Sequence, residues 1–147
     1  MYRSVAARPE WTIERYEGGD ATELVRDIQQ RRRELHDNCR VEQWLTDHDV
    51  AAYVLYEEGR ALAFALLSGY PADPRSATGH KHPRFLNYIY TVEAQRNRGL
   101  ASALLRRVKQ HDEVTAVCWN DISERIFYKA GYYIQEIVNA TAVYRYP

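Results

Sequence analysis

The stretch EAQRNRGLASALLRRV, residues 93–108, decides how this chain is interpreted. Its second half places Leu100, Ala103, Leu104 and Val108 at helical spacing, which predicts an amphipathic helix. Two arginines and a glycine stand where that helix begins, although glycine is a poor helix former. A helix N-terminus presents unpaired N–H groups and the positive end of the helix dipole. The stretch therefore predicts an anion site, with phosphate as its usual occupant.

The turn before this helix contains the parts that a pyrophosphate needs. Gly99 lets a ligand approach the backbone closely, and Asn97 tolerates the left-handed conformation that turns several N–H groups towards one point. Arg96 and Arg98 add positive charge. A capped surface helix with unrelated arginines would give the same letters, so both interpretations stay open at this point. A dinucleotide Gly-x-Gly-x-x-Gly fingerprint and a Walker-type loop are both absent.

Strands flank the predicted helix on both sides. We expect strand 85–92, helix 99–111 and strand 114–118 to form a right-handed crossover, with the two strands parallel. Alternating and apolar runs elsewhere give the order βααβββαβαββ, with EEGR as a hairpin turn and Gly131 as a helix C-cap. The remaining pairs should be mostly antiparallel. The sequence predicts a mixed α/β fold in a single domain, 1–147.

Composition narrows the class of protein. The chain has 147 residues, 46% of them hydrophobic and 27% charged, and its net charge is zero, so the composition gives no argument for a nucleic-acid partner. Cys39 and Cys118 are far apart and have no metal-ligand spacing, which favours reduced thiols over a disulfide or a metal site. No apolar run approaches the roughly 20 residues of a membrane span. The expected setting is cytoplasmic, without membrane contact.

Two segments in sequence resemble the GCN5-related N-acetyltransferase (GNAT) family. LNYIYTVEAQRNRGLASALL is similar to its acyl-CoA-binding signature, a strand followed by Gln/Arg-x-x-Gly-x-Gly/Ala and a helix. About 30 residues later, NDISERIFYKAGYY resembles its later motif, a helix ending in Tyr-x-x-Gly-Phe. The matching residues are Arg96, Gly99 and Ala101 in the first motif and Tyr128, Gly131 and Tyr132 in the second.

The sequence departs from the family pattern at three positions. Glu93 replaces a proline that is common in the turn, Asn97 replaces a first glycine, and Tyr132 replaces phenylalanine. None of these changes removes a group needed to bind phosphate. The resemblance covers nearly the whole order of elements, and two weak motifs at the right spacing are more specific than either alone.

The resemblance implies both a fold and a place for acetyl-CoA. The fold would be GNAT-like, with a mostly antiparallel central sheet, a splayed parallel pair of strands and helices on both faces. The pantetheine arm would lie along the first splayed strand, on free backbone groups around Tyr90, Thr91 and Val92. The pyrophosphate would rest on the backbone N–H groups at the helix start, which belong to Asn97, Arg98, Gly99, Leu100, Ala101 and Ser102.

The chemistry implied by the family is direct attack of an amine on the acetyl thioester, which would make the chain an N-acetyltransferase that needs no metal. A strand N–H near Tyr90 or Thr91 would polarise the carbonyl. Tyr128 would protonate the leaving thiolate, although a core aromatic is the alternative for this residue. Asn120 matches the family's asparagine only with one residue of slip, because Asp121 holds the expected register. Asn120 would bind the pantetheine, or either residue would cap the helix.

No general base is evident in the sequence. The long, turn-rich loop 71–83 is expected to border the acceptor site, as is the segment after the first helix. Surface side chains are the alternative for all candidates in both segments, and Glu93 is expected to face solvent. His-x-His in the loop lacks the further ligands of a metal site. The candidates are Glu34, His36, Asp37, His80 and His82.

Two rival functions remain. A non-catalytic acyl-CoA-binding module would share the fold and the pyrophosphate cradle formed by residues 97–102. Only turnover would separate it from an enzyme. A basic-helix nucleic-acid binder would use Arg96, Arg98, Arg106 and Arg107, but the neutral net charge opposes it. The acceptor could be a small metabolite amine, an amino acid, a polyamine, an antibiotic or the N-terminus of a protein. A homodimer formed through the terminal strands is compatible with the pattern.

Overall fold

The computed structural model describes residues 10–36, 39–46, 49–69, 84–112, 114–118, 121–138 and 141–145. The element order is the predicted one, βααβββαβαββ, with two short 3-10 turns at Arg33–Leu35 and Glu93–Gln95. The helices are α1 Gly18–Arg31, α2 Cys39–Leu45, α3 Leu100–His111 and α4 Asp121–Lys129. The strands are β1 Trp11–Glu17, β2 Ala51–Glu57, β3 Arg60–Ser68, β4 Arg84–Thr91, β5 Val114–Cys118, β6 Tyr133–Val138 and β7 Thr141–Arg145.

All seven strands form one sheet in the order β1-β2-β3-β4-β5-β7-β6. Among the strands that the structure describes, only β4 and β5 pair in parallel, as the crossover through α3 predicts, and their register holds two pairs, Arg84 with Val114 and Phe85 with Thr115. Beyond Phe85 the two strands therefore separate towards their carboxyl ends. This confirms a mostly antiparallel sheet with a splayed parallel pair. β6 is the outer strand at one end, and β7 lies inside the sheet.

Helices cover both faces of the sheet, as expected. On one face α3 and α4 bury an apolar stripe against the strands, and on the other α1 and α2 do the same. Buried helix residues on the first face are Leu100, Leu104, Leu105, Val108 and Phe127. Buried helix residues on the second face are Ala21, Val25, Ile28, Val41 and Leu45.

A β-bulge in β4 redirects its side chains. Leu66 of β3 pairs with Tyr88, but the next residue, Leu67, pairs with Leu86, so Asn87 is the extra residue. A bulge shifts the alternation of faces by one position. As a result Leu86 joins the core under α3, whereas Tyr88 and Tyr90 face α1 and α2. Both tyrosines thus share one face, as their two-residue spacing predicts.

The C-terminal end of α3 is fixed to the sheet by Asp112. The phenol of the buried Tyr53 on β2 donates to Oδ2 of Asp112 at 2.5 Å, and Nε of Arg15 on β1 donates to the same oxygen at 3.1 Å. Burial, followed by the bond to Asp112, raises the pKa of Tyr53, so its phenol stays protonated as a donor. The C-terminal end of the helix that carries the predicted anion site is therefore bonded to β1 and β2.

The predicted C-cap at Gly131 is confirmed. Gly131 has φ 90°, its N–H bonds the carbonyl of Tyr128 at 3.0 Å, and the N–H of Tyr132 bonds the carbonyl of Phe127 at 3.0 Å. This is a Schellman motif, and its usual apolar contact is the edge-to-face pair of Phe127 and Tyr132, whose ring centroids are 5.2 Å apart. The motif buries Phe127, whereas its neighbour Tyr128 is exposed.

Candidate functional site

The splay leaves one edge of β4 unpaired. Val92, just after β4, donates its N–H to the carbonyl of Leu62 on β3 at 2.8 Å. Backbone groups alternate in direction along a strand, so those of Tyr90 also face β3, and those of Ile89 and Thr91 face the gap. Among the described strands, none pairs with β4 on the gap side beyond Phe85. The gap therefore offers the N–H groups of Ile89 and Thr91 to a ligand.

The turn between β4 and α3 has two left-handed residues. Asn97 has φ 68° and Gly99 has φ 82°, and the first of these matches the conformation expected from the sequence. Gly99 is exposed, and a Cβ placed on it would meet no atom within 4 Å. The backbone here borders open space, so a ligand can approach it closely.

The first turn of α3 presents unpaired donors. The first helical bond runs from the N–H of Ala103 to the carbonyl of Gly99, at 3.0 Å. Within the described part of the chain, no backbone or side-chain acceptor takes the N–H groups of Leu100, Ala101 and Ser102. These donors coincide with the positive end of the α3 dipole, so an anion is the ligand that this end favours.

The two arginines of the turn have protein partners. Nε of Arg96 donates to the carbonyl of Thr91 at 3.0 Å, which places its exposed guanidinium beside the open edge of β4. Arg98 instead points towards β2, where its Nη2 lies 2.8 Å from Oε2 of Glu57. Among the described residues no carboxylate pairs with Arg96, whereas Glu57 neutralises the charge of Arg98.

Glu57 is a buried carboxylate with three bonds. Its Oε2 accepts from Nη2 of Arg98 at 2.8 Å and from Nε1 of Trp11 at 2.9 Å, and its Oε1 accepts from Nη1 of Arg98 at 3.2 Å. The bond from Arg98, with help from Trp11, lowers the pKa of Glu57 against the opposing effect of burial. Glu57 is therefore ionised at neutral pH, and the ion pair with Arg98 is complete.

On the α1 and α2 face, the structure joins Tyr90 to Glu34. The phenol of Tyr90 donates to Oε1 of Glu34, in the 3-10 turn after α1. Burial and the bond to Glu34 raise the pKa of Tyr90, so the phenol remains a donor. His36 is not brought to this position, because its Nε2 donates to the carbonyl of Gln30 at 2.6 Å. Glu34 is thus an exposed carboxylate attached to the strand that borders the gap.

Tyr128 is not a core residue. It is 76% exposed, and its phenol has no hydrogen-bond partner among the residues that the structure describes. The alternative interpretation of Tyr128 as core packing is therefore wrong, because α4 directs Phe127 inwards at that point. Since no described residue bonds this exposed phenol, it can contact a bound molecule.

Several predicted residues lie outside the described part of the chain. These are Asp37, the loop 71–83 with His80 and His82, and Asn120. Asp121 is the first residue of α4, and Glu93 is exposed as expected. Across the described ranges, no group of three His, Cys, Asp or Glu side chains could hold a metal ion. In those same ranges, no helix combines the length and apolar character needed to cross a membrane.

Two features of the site escape sequence reasoning. One is that the backbone groups of Ile89 face the gap. Strand alternation gives this direction only when the direction of one N–H in β4 is known, and the sequence does not supply it. The Glu57–Arg98 pair joins residues 41 positions apart, and no local pattern signals it.

The chain matches the family model described as the acetyltransferase (GNAT) family over residues 10–132. No curated protein matches it. Solved structures of the same fold include the aminoglycoside N-acetyltransferase AAC(6')-Iy in complex with CoA, which is 20% identical over 92% of this chain and 95% of that one, with a TM-score of 0.64. A complex of AAC(6')-Iy with the bisubstrate analogue CoA-S-monomethyl-acetylneamine is 20% identical over 88% and 95%, with a TM-score of 0.63. An acyl-CoA N-acyltransferase from Pseudomonas aeruginosa is 16% identical over 94% and 100%, with a TM-score of 0.62. At these identities the likeness to solved structures is one of fold.

Proposed function

We propose that this chain, which belongs to the acetyltransferase (GNAT) family, transfers an acetyl group from acetyl-CoA to the primary amine of a small molecule. The observation that carries the proposal is the junction of two sets of backbone N–H groups that no described residue accepts. The open N–H groups at the start of α3 adjoin the unpaired edge of β4, and a left-handed turn at Asn97 and Gly99 connects them. A pyrophosphate with an extended, amide-bearing arm is the ligand that both surfaces fit.

In this proposal acetyl-CoA binds mainly to backbone groups. The pyrophosphate lies on the N–H groups of residues 97–102, with the Arg96 guanidinium beside it. The pantetheine amides pair with the gap-facing backbone groups of Ile89, as an added strand would. Tyr90 and Val92, which the family resemblance also implicates, direct their backbone groups to β3, so they shape the edge without binding the arm through their N–H groups.

The reaction is a direct displacement at the thioester carbonyl. The amine nitrogen forms a bond to the carbonyl carbon, and the bond from that carbon to sulfur breaks. The N–H of Thr91, which faces the gap, stabilises the negative charge that develops on the carbonyl oxygen. Tyr128 gives its proton to the departing thiolate, and the proton lost by the amine passes to a base or to water. The products are an N-acetyl amide and CoA.

The acceptor reaches the carbonyl from the α1 and α2 face. α3 begins on the opposite face, so the phosphate end of the donor occupies that side of the gap. Glu34, held by Tyr90, supplies a carboxylate where a cationic amine would approach. The fold relative AAC(6')-Iy, an aminoglycoside N-acetyltransferase, supports a small-molecule amine as the acceptor class.

An amine panel with two readouts tests the proposal. Purified protein is incubated with acetyl-CoA and, in separate reactions, polyamines, amino acids, aminoglycosides and short peptides with free N-termini. Thiol release gives the rate, and mass spectrometry identifies the acetylated product. We expect at least one small amine to be N-acetylated with release of equimolar CoA. CoA binding without turnover of any amine would instead indicate a non-catalytic acyl-CoA-binding module.

A further inference from the structure

Glu57 is the last residue of β2. It is distant in sequence from the turn between β4 and α3, but its side chain bonds Arg98 in that turn. Its side chain is 8% exposed, and both of its carboxylate oxygens accept hydrogen bonds. Trp11 on β1 donates to Oε2 at 2.9 Å, which adds a second, uncharged donor to the same carboxylate. A buried, doubly held acceptor of this kind is a rigid point in the framework.

Arg98 connects that point to the turn. It lies between the two left-handed residues, Asn97 and Gly99. Besides its two bonds to Glu57, its Nη1 donates to Oε1 of Gln95 at 2.5 Å, and its guanidinium carbon lies 5.8 Å from the centroid of the Trp11 ring. Arg98 thus holds both the start of the turn, at Gln95, and the segment from which the converging N–H groups project.

The direction of the Arg98 side chain needs explanation, because an arginine beside a phosphate site ordinarily points at the anion. Here a planar guanidinium makes a paired contact with a carboxylate on β2, and this geometry orients as well as attracts. Asparagine tolerates the left-handed conformation better than other non-glycine residues, and contacts that hold the turn further stabilise Asn97 in it. The Glu57–Arg98 pair ties this turn to β2, whereas the bond from Arg96 to the carbonyl of Thr91 ties it to β4.

We propose that Glu57 is a positioning residue for acyl-CoA, acting through Arg98 to hold residues 95–99 in the shape that aims the N–H groups of residues 97–102 at the pyrophosphate. Arg98 is then an anchor of the turn and makes no contact with the phosphates. The inference rests on the proposed function, because the pyrophosphate is its ligand. It assigns a role in acyl-CoA binding to the buried carboxylate at the end of β2.

The sign of one affinity change separates anchoring from direct phosphate contact. CoA is an anion, so replacing Glu57 by neutral glutamine removes a repulsive charge and releases Arg98. If Arg98 bound the phosphates, Glu57→Gln would tighten CoA binding. If Glu57 anchors the turn, Glu57→Gln weakens CoA binding despite the gain in electrostatics. We expect the dissociation constant to rise roughly 5- to 50-fold, within the range for residues coupled in one network.

A double-mutant cycle and two further variants complete the test. Isothermal titration calorimetry with CoA is carried out on Glu57→Gln, Arg98→Gln and the double variant, each after its melting temperature is measured. Anchoring predicts that the double variant binds no more weakly than the weaker single one, since each change breaks the same link. Trp11→Phe keeps an aromatic ring at this position and both charges but removes one bond to Glu57, so a smaller loss is expected. Glu42→Gln breaks an exposed pair with Arg26 and should leave CoA affinity unchanged.

Each outcome is decisive. Weaker binding by Glu57→Gln in a folded protein, with a non-additive cycle, supports the anchor. Unchanged or tighter binding by Glu57→Gln overturns it while leaving the proposed function intact. Additive losses in the cycle overturn it too, because they assign Arg98 its own contact with CoA. If Glu57→Gln does not fold, Trp11→Phe carries the same test, and unchanged affinity there overturns the anchor. Failure of the wild-type protein to bind CoA would overturn the proposed function itself.

Discussion

The N–H of Val92 donates to the carbonyl of Leu62 at 2.8 Å, and this single bond determines which backbone groups of β4 face the gap. By alternation it turns Ile89 and Thr91 towards the gap and Tyr90 towards β3. The bond from Arg96 to the carbonyl of Thr91 agrees with that direction. In the proposed function, Thr91 would therefore supply the oxyanion donor and Ile89 the backbone groups that pair with the pantetheine arm.

Replacing Tyr128 with phenylalanine should lower turnover and leave stability unchanged. The phenol is exposed and has no partner within the described ranges, so its loss removes no folding contact. If Tyr128 protonates the thiolate, kcat should fall by roughly 10- to 1000-fold, the scale of a positioned acid. CoA affinity should hold, since the phenol matters most as charge builds on sulfur. A thiol-release assay measures kcat, and melting curves measure stability. An unchanged kcat would assign proton donation to another group.

Tyr132→Phe is the matched control for that substitution. The phenol of Tyr132 is buried and donates to the carbonyl of Leu105 at 3.1 Å, whereas its ring packs on Phe127. The same chemical change should here lower the free energy of unfolding by about 1 kcal/mol. Turnover per folded molecule should stay at the wild-type value. Loss of turnover in both variants would mean that the Tyr128 effect is not one of proton transfer.

Glu34→Gln should weaken binding of the amine acceptor and leave the affinity for CoA unchanged. The carboxylate is held by the phenol of Tyr90 on the face from which a cationic amine would approach. Because Glu34 is exposed, its attraction is screened, and the KM of a charged amine should rise only roughly 2- to 5-fold. Glu93→Gln removes an equal charge from an exposed carboxylate just after β4 and should leave the KM unchanged. Equal effects of the two variants would remove Glu34 from the acceptor site.

Acid should erase the stabilising contribution of Glu57. Its bond from Arg98 holds the pKa below the ordinary value of 4.5. A carboxyl with a lowered pKa in the folded state stabilises the fold above its unfolded pKa and loses that contribution as pH falls through the folded pKa. The difference in melting temperature between wild type and Glu57→Gln should therefore be constant near neutral pH. It should shrink as the pH falls below about 4.5, and a difference that grows on acidification would contradict the sign.

Gly131→Ala should destabilise the domain by about 1–2 kcal/mol, the cost of a left-handed conformation for a residue with a Cβ. Gly131 has φ 90°, and an added Cβ would also meet the Nζ of Lys109. Gly19→Ala is the control, because Gly19 lies inside α1 with no atom within 4 Å of an added Cβ and no positive φ. That change should stabilise by about 0.5–1 kcal/mol. Urea unfolding measures both, and an equal sign for the two variants would contradict this account of the C-cap.

Much of the architecture is predictable because its signals are local. Hydrophobic periodicity gives the order of elements, the crossover rule gives the parallel pair of β4 and β5, and turn chemistry gives the conformations of Asn97 and Gly131. The cradle at the start of α3 follows from the same local signals. The face of the sheet on which each β4 side chain lies is harder to predict from sequence. The bulge at Asn87 places the β4 side chains before it on the face opposite to the one that alternation from Tyr88 predicts.

The partners of charged side chains could not be predicted, because they depend on distant strands. Arg98 lies in the same short motif as Arg96, and both were expected to add positive charge to the cradle. The structure pairs Arg98 with Glu57 and leaves Arg96 at the gap. Similarly, Glu34 and His36 are equivalent candidates in sequence, and only packing against Tyr90 separates them.

Calorimetric titration of CoA into Gly99→Val, with Gly18→Val as control, tests the central claim most directly. Both glycines have positive φ, 82° and 58°, and an added Cβ on either meets no atom within 4 Å, so the two substitutions carry the same kind of backbone strain. They lie at different places, since Gly18 begins α1 and Gly99 precedes α3. If acyl-CoA rests on the backbone of the 97–102 turn, Gly99→Val abolishes binding in a folded protein while Gly18→Val binds as the wild type does. Wild-type affinity in Gly99→Val would contradict the account.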